Sequence, residues 1–412
     1  MFRYTTGCAG DDGWAMTANR PIKTLLLSTL FPSSVRPHHG IFVENRLKEL
    51  LRTGRVLTKV IAPVPWFPFR SARFGEYSKF ASTPAQDCRG DVDVYHPRYF
   101  LLPKVGMNMA PASIARSVLP VARKMIESGF DFDLIDAHYY YPDGVAAASV
   151  AKALGKPFVV TARGTDLNLI PQHAAPRQMI VKTAHQASAS IGVCRALMDS
   201  LADLGADPEK LHVFRNGVDL ERFRPEQPYA ARNLLGLPQD KTILLSVGHL
   251  VARKGHDVAI EATASMPQAL LCVIGDGPEH AALRGLAVRL GIADRVRFVG
   301  AVDNIDLRWW YSAANALVLC SDREGWANVL LESMACGTPV VATNIWGTPE
   351  VVATPAAGEL MQSRTPQALV LAYQELRSRI IPEGATRRYA EGFSWAATTE
   401  SQIALFEKIV FA

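Results

Sequence analysis

The feature that most constrains this chain is an alternation of strand-like runs with helical segments, which runs its course once and then starts again. In the first half, IKTLLLSTL (22–30), VLTKVIAPV (56–64), FDLIDAH (132–138), PFVVTARG (157–164) and SIGVC (190–194) are short β-compatible runs. Between them lie FVENRLKELLRTG and PDGVAAASVAKALG, and RALMDSLADLG follows the last, each with apolar residues at helical spacing and a terminal glycine. The pattern restarts at TILLSVGHL (242–250) and continues through ALLCVIGDGP, VRFVGAV, ALVLCS and PVVAT, again with helical segments between them. Such alternation builds parallel sheets covered by helices on both faces. It predicts an α/β fold of two doubly wound, Rossmann-like domains, joined near RNGVDLERFRPEQP (215–228). The predicted bounds are 21–224 for the first domain and 225–395 for the second, with a helix at 396–412 returning to complete the first. Residues 65–104 read as loop with one strand, and Pro120 is expected to kink a helix or start a second one. Residues 1–20 read as a disordered leader or an overlong translation start.

The length of 412 residues suits two domains rather than one core. No apolar run reaches the roughly 18 residues that span a bilayer. The beginning lacks a basic region followed by an apolar one, so no secretory signal is predicted. The six cysteines have no CxxC and no metal-ligand spacing, which suggests a reduced, cytoplasmic chain. The net charge of +5 is unevenly spread, at +8 over residues 1–225 and −3 over residues 226–412. A basic first half fits either an ordinary solvated surface or contact with an anionic membrane. No dense basic block or recognition motif points to nucleic acid.

In open parallel sheets, ligands bind beyond the carboxyl ends of the strands. Two clusters sit there in the second half. SVGHLVARKGHD places Gly248 at a strand end and then the adjacent cations Arg253 and Lys254, which suit a diphosphate. DREGWANVLLESMACGTPVVA (322–342) reads as loop then helix, with Asn328 as the expected N-cap and Gly337 and Pro339 as the stop. The amides of Gly325, Trp326, Ala327, Asn328 and Val329 then face an anion at the helix N-terminus. Glu324 precedes that stretch and Glu332 follows it, so each can accept hydrogen bonds from the hydroxyls of a sugar on its own side of a diphosphate. Two surface glutamates flanking an amphipathic helix are the other reading of the same spacing.

EGWANVLLE, with its Glu-x7-Glu pattern, resembles retaining glycosyltransferase family 4 of the GT-B fold. The stretches ESMACGTPVVAT, GTPEVV, VGHLVARKGHD, VIGDGPE, VRFVGAV and VFRNGVDLERF are similar to that family as well, so the resemblance spans roughly residues 22–410. In the first half, LFPSSVRPHHGIFVENR, VIAPVPWFP, LIDAHYYYPDGVAA and VVTARGTDLN resemble a bacterial polysaccharide and teichuronic-acid-type subgroup. The resemblance implies that Gly40 lies close to donor phosphate and acceptor, and that His138 faces the cleft and contacts the sugar. Arg163 and Asp166 stand in a segment where the family more often has His-Gly, and they are acceptor-side candidates. Asp136 and Asp143 are weaker ones. Trp326 replaces a small or phenyl residue.

The implied function is transfer of a sugar, with retention, from a UDP- or GDP-linked donor to a glycan or polyprenyl-linked acceptor in cell-surface polysaccharide synthesis. His138, Arg253, Lys254 and Glu324 are the expected catalytic group. The nucleotide sugar is the co-substrate, with no further cofactor and no metal. The expected location is the cytoplasm, at or near the inner membrane face. A GT-B nucleotide-sugar epimerase and a non-enzymatic nucleotide-sugar-binding protein are the alternatives. A Rossmann oxidoreductase is disfavoured, because His280 stands where GDGPEH needs its third glycine.

Overall fold

The computed structural model describes residues 20–101 and 106–411. The expected leader lies outside the described residues except for Arg20, whose guanidinium pairs with Asp133 at 2.6 and 2.7 Å. The first sheet contains β1 (Ile22–Leu27), β2 (Val56–Ile61), β3 (Gln86–Arg89), β4 (Val92–Tyr95), β5 (Leu134–His138), β6 (Phe158–Ala162), β7 (Ala189–Gly192) and β8 (Leu211–Val213). Their order is β8-β7-β6-β5-β1-β2-β4-β3, and only the β3–β4 hairpin is antiparallel. The second sheet contains β9 (Thr242–Val247), β10 (Ala269–Ile274), β11 (Val296–Gly300), β12 (Ala316–Leu319), β13 (Val340–Thr343) and β14 (Gly358–Met361), all parallel, in the order β11-β10-β9-β12-β13-β14.

The helices that shape the site are α1 (Ile41–Arg52), α2 (Ala110–Glu127), α3 (Val145–Leu154), α4 (Arg195–Asp203), α5 (His256–Ala264), α6 (Asn328–Ala335), α7 (Thr348–Val351) and α8 (Trp395–Val410). Strands β5 and β6 are buried at every position, because helices cover both faces of the sheet. Helix α8 lies on the first sheet, with Ile403 and Phe406 packed among Ile22, Leu50, Val56 and Leu134.

Each sheet reverses its order once. β1 pairs with both β2 and β5, and β9 pairs with both β10 and β12. Connections leave such a switch point in opposite directions and open a crevice at the carboxyl ends of the strands. The loops after β1, β5, β9 and β12 line one cleft between the two sheets.

One local expectation fails, and of the two outcomes expected at Pro120 the second helix does not form. Helix α2 runs through Pro120 unbroken. Pro120 is exposed, so water can serve the carbonyl it leaves free, and the buried stripe Ile114, Val118, Ala122 and Met125 continues across it. Residues 65–104 contain the β3–β4 hairpin, a short helix (Glu76–Ser82) and a two-residue ladder joining Val64–Pro65 to Arg98–Tyr99. Elements this short carry too few residues to show a period.

Candidate active site

The carboxyl-terminal wall is built by the exits of β9 and β12. After β9 the chain makes a single tight turn, Ala252–Lys254, and then Gly255 at φ +70°. A Cβ on Gly255 would lie 2.0 Å from the Cys320 carbonyl oxygen, so only glycine lets the two loops touch. That approach brings Lys254 Nζ to 2.6 Å from Glu324 Oε1, with Arg253 Nη1 at 3.9 Å. Ser321 Oγ donates to the same oxygen at 2.7 Å. Among the described residues Glu324 Oε2 has no protein partner, which leaves it available to a ligand hydroxyl. Gly248 does not line the cleft. It ends β9 behind the Lys254 side chain, and its N–H donates to Ile274.

Asn328 is not the N-cap of α6. Ala327 holds that position with extended backbone, and Asn328 is the first helical residue. The Asn328 side chain instead accepts a hydrogen bond from Asn216 Nδ2 at 3.2 Å, across the domain junction. Among the described residues the amides of residues 325–329 have no protein acceptor, and these residues line the cleft at the positive end of α6.

Glu324 and Glu332 do not share one cavity. Glu324 lies on the main cleft of about 410 Å³. Glu332 opens on an adjoining pocket of about 70 Å³, and Asn328 lines both. Tyr311 donates to Glu332 Oε2 at 2.8 Å, and burial pushes the Glu332 carboxyl up to about 7.

The amino-terminal wall is formed by Leu30, His39, Gly40, Phe42, Tyr139 and the Arg163–Asn168 segment. Gly40 opens α1 at φ +69°, and a Cβ there would lie 2.2 Å from the Leu30 carbonyl oxygen. His138 ends β5 but does not face the cleft. It is 1% exposed and lies behind Arg163, because both of its ring nitrogens are taken. Arg163 Nη2 donates to Nδ1, and Nε2 donates to Asp136 Oδ2 at 3.2 Å, so the ring is held as the neutral Nε2–H tautomer. Burial lowers the pKa of His138 further. Gln402 of α8 donates to the same Asp136 oxygen at 3.3 Å and accepts from the buried Arg46. Arg163 Nη1 reaches Asn216 Oδ1 at 3.3 Å. A chain of polar contacts therefore runs from the last helix through Asp136, His138, Arg163 and Asn216 to Asn328.

Asp166 is fully buried and shapes the loop from beneath it. Its carboxylate accepts from the amides of Tyr140 and Gly164, each at 2.7 Å, and of Arg163. Asp143 is likewise buried, under Ser28 and Thr29, with its carboxyl raised to about 7 by burial.

Sequence reasoning missed His39, Tyr139 and Asn216 as wall residues. His39 is held by Arg36 at 2.9 Å and Thr29 at 3.1 Å, and burial keeps its imidazole down at about 4. Tyr139 sits at φ 85°, a strained value for a residue with a side chain. The signal for His39 was its place directly before Gly40. For Asn216 it was the glycine that follows it at a domain junction.

Comparison with known proteins agrees with this geometry. Residues 80–222 match the family described as Glycosyltransferase Family 4, and residues 230–381 match Glycosyl transferases group 1. TuaC of Bacillus subtilis, a glycosyltransferase assigned to teichuronic acid biosynthesis, is 32% identical over 338 residues, covering 79% of this chain and 82% of the relative. The chain belongs to glycosyltransferase family 4. Another relative, a D-inositol 3-phosphate glycosyltransferase of Frankia alni, is 35% identical over 66% of this chain and 73% of its own length. Among solved structures, sucrose-phosphate synthase of Thermosynechococcus elongatus superposes with a TM-score of 0.75 at 21% identity, over 94% of this chain and 98% of that one. HepE of Anabaena in complex with UDP-glucose gives 0.69 at 20% identity, over 94% and 99%. These neighbours give the glycosyltransferase the GT-B fold, two Rossmann-like domains facing across the cleft. Among the described residues no helix is long and apolar enough to cross a membrane.

Proposed function

We propose that this glycosyltransferase moves a sugar from a UDP- or GDP-linked donor to a hydroxyl of a glycan or lipid-linked acceptor, with retention at the anomeric carbon. One observation carries the reading. Lys254, Arg253 and the acceptor-free amides of residues 325–329 converge on one spot, with Glu324 on one side and Glu332 on the other. Two cations and a helix N-terminus complement a diphosphate, and one carboxylate is available for each flanking sugar. The UDP-glucose bound to HepE, a structural neighbour, supports the choice of donor.

In this reading Arg253, Lys254 and the α6 amides stabilise charge on the departing diphosphate, a task a metal ion performs elsewhere. Glu324 Oε2 holds the transferred sugar. Arg163 faces the reacting sugar in place of His138, and His138 fixes its guanidinium from behind. Among the described residues no carboxylate on the cleft wall is free of cationic partners to attack the anomeric carbon. A same-face route, in which the leaving phosphate takes the acceptor proton, fits this wall.

The acceptor reading rests on a surface feature. Among the described residues, Trp66, Phe69, Tyr77 and Phe100 are four of the six exposed aromatic side chains, and Arg70 and Arg73 lie exposed among them. Arg36 links this patch to the cleft, stacking on Phe80 at 5.0 Å while contacting His39. Aromatic and arginine side chains together suit the headgroup layer of an anionic membrane, where a lipid-linked acceptor would lie. The similarity to TuaC supports a role in cell-surface polysaccharide assembly, which this reading assigns to the cytoplasmic face.

Proton NMR of the enzyme with UDP- and GDP-sugars tests the chemistry. The expected result is release of nucleoside diphosphate and a first-formed sugar with the donor's anomeric configuration. Conversion of the donor sugar without nucleotide release would make the protein an epimerase, and donor binding without turnover under any condition would make it a binding protein.

A further inference from the structure

The two domains are joined by one carboxylate that serves no group in its own domain. Glu350 lies in α7 of the second domain. Its Oε1 accepts from the amides of Arg195 and Ala196 at 2.7 and 3.3 Å. These are the first two residues of α4 in the first domain, a helix whose own N-cap position, Cys194, supplies no side-chain cap. Its Oε2 accepts from Arg215 Nε and Nη2 at 3.0 and 2.6 Å, a paired contact with the junction between the domains. Every acceptor contact of Glu350 therefore exists only while the domains stand in this arrangement.

The same residues reach the cleft wall. The Arg215 guanidinium lies 6.0 Å from the Trp326 ring. Gly347, three residues before Glu350, packs so closely that a Cβ would lie 2.2 Å from the Gly325 carbonyl oxygen and 2.9 Å from Cys194 Cβ. Gly325 in turn is pressed against the Arg163 carbonyl oxygen, where a Cβ would lie 2.0 Å away. The loop carrying the free amides is thus clamped between the Arg163–Gly164 segment on one side and the Gly347–Glu350 segment on the other.

We propose that Glu350 is a positioning residue for transfer: its carboxylate latches the two domains and thereby holds the 325–329 loop against the amino-terminal wall. The role of that loop as the diphosphate cradle rests on the donor reading above. The latch itself rests only on the contacts just described. Nucleotide contacts to the second domain do not require it, whereas chemistry at the closed cleft does.

Hydrogen exchange of Glu350→Gln and Arg215→Gln against the wild type, read peptide by peptide, tests this directly. The expected result is faster exchange in both the 193–199 segment, whose amides Glu350 holds, and the 330–336 segment, the hydrogen-bonded part of α6 that carries the loop. Kd for UDP should stay within about threefold, while donor hydrolysis or transfer falls about tenfold or more, a coupling of ordinary size. The double variant should lose little more than either single one, because the two residues act as one contact. Faster exchange confined to residues 193–199, with the rate unchanged, would overturn the proposal and leave Glu350 a helix cap. If Glu350→Gln melts early, Arg215→Lys keeps the test open, since it retains the charge but loses the paired geometry. Absence of UDP binding by the wild type would defeat the donor reading, and the exchange result would still decide the latch.

Discussion

The two walls of the cleft are built on opposite plans. On the carboxyl-terminal wall the polar groups are left open. Glu324 keeps one oxygen free, the amides of residues 325–329 have no acceptor, and Arg253 is more than a third exposed on its side chain. On the amino-terminal wall the buried side chains bond mainly to one another, although Arg163 Nε, Asn168 Oδ1 and Arg46 Nη1 have no partner among the described residues. His138 is sealed by Arg163 and Asp136, Asp166 by three backbone amides, and Arg46 by Gln402. The open wall is organised to meet a charged ligand that brings its own acceptors. The closed wall is organised to be rigid and to present a few fixed groups, Arg163 and the backbone of Gly40 among them. Reach on one side and shape on the other suit a constant diphosphate facing a more varied partner.

Substitutions should separate the plans. The largest loss is expected for Lys254→Ala, which removes a cation proposed to stabilise the leaving group. We expect donor turnover to fall about 10²–10³-fold, with a small change in melting temperature, measured by nucleotide release and thermal denaturation. On the other wall, Gly40→Ala should act through shape. The added Cβ would meet the Leu30 carbonyl oxygen, so the loop must move. Turnover should fall about 10²-fold together with about 1–3 kcal/mol of stability. A smaller effect is expected for His138→Asn. If His138 acts only through Arg163, this variant and Arg163→Gln should each cost about tenfold in rate, and combining them should cost little more. Additive losses would place His138 on the substrate itself.

Each wall also carries one buried carboxyl raised to about 7, Glu332 on one side and Asp143 on the other. Burial raises the Glu332 carboxyl to about 7, so between about 4.5 and 7 the folded chain holds a proton there that the unfolded chain has released. Stability from this group is full below the lower value and is lost as pH rises through 7. In the proposed donor site the Glu332 carboxylate accepts from ribose hydroxyls, and on that proposal nucleotide affinity should rise over the same range as ligand-free stability falls. Calorimetric titration from pH 5.5 to 8 checks both. Glu332→Gln should flatten the affinity profile but only part of the stability profile, because Asp143 titrates in the same direction. The smallest effect concerns the surface patch. Trp66→Ser with Phe69→Ser should leave melting and nucleotide affinity unchanged while weakening sedimentation with anionic vesicles. Equal sedimentation would remove the membrane from the account.

What the sequence showed and what it hid divide along the same line. The α/β architecture was legible because strands and helices of ordinary length carry their own periodicity. The grouping of the open wall was legible because its residues are neighbours along the chain, with Arg253 beside Lys254 and two glutamates around one helix start. The closed wall depends on contacts between distant segments. Gln402 meets Asp136 across 266 residues and Arg46 across 356, and no local pattern announces either. His138 was therefore expected to be open, and Asn328 was expected to cap its helix when it in fact bonds to Asn216 on the junction. Residues 65–104 were misread for a simpler reason, since a two-residue ladder has no period to detect.

The most direct test of the central claim is calorimetric titration of the protein with UDP and GDP, beside Glu332→Ala and Arg253→Ala. Saturation of a single site by one of the two, with affinity lost at least tenfold in both variants, is the predicted result and would identify the base. A nucleotide that bound wild type and both variants equally well would contradict the account, because the nucleotide site would then lie away from the cleft.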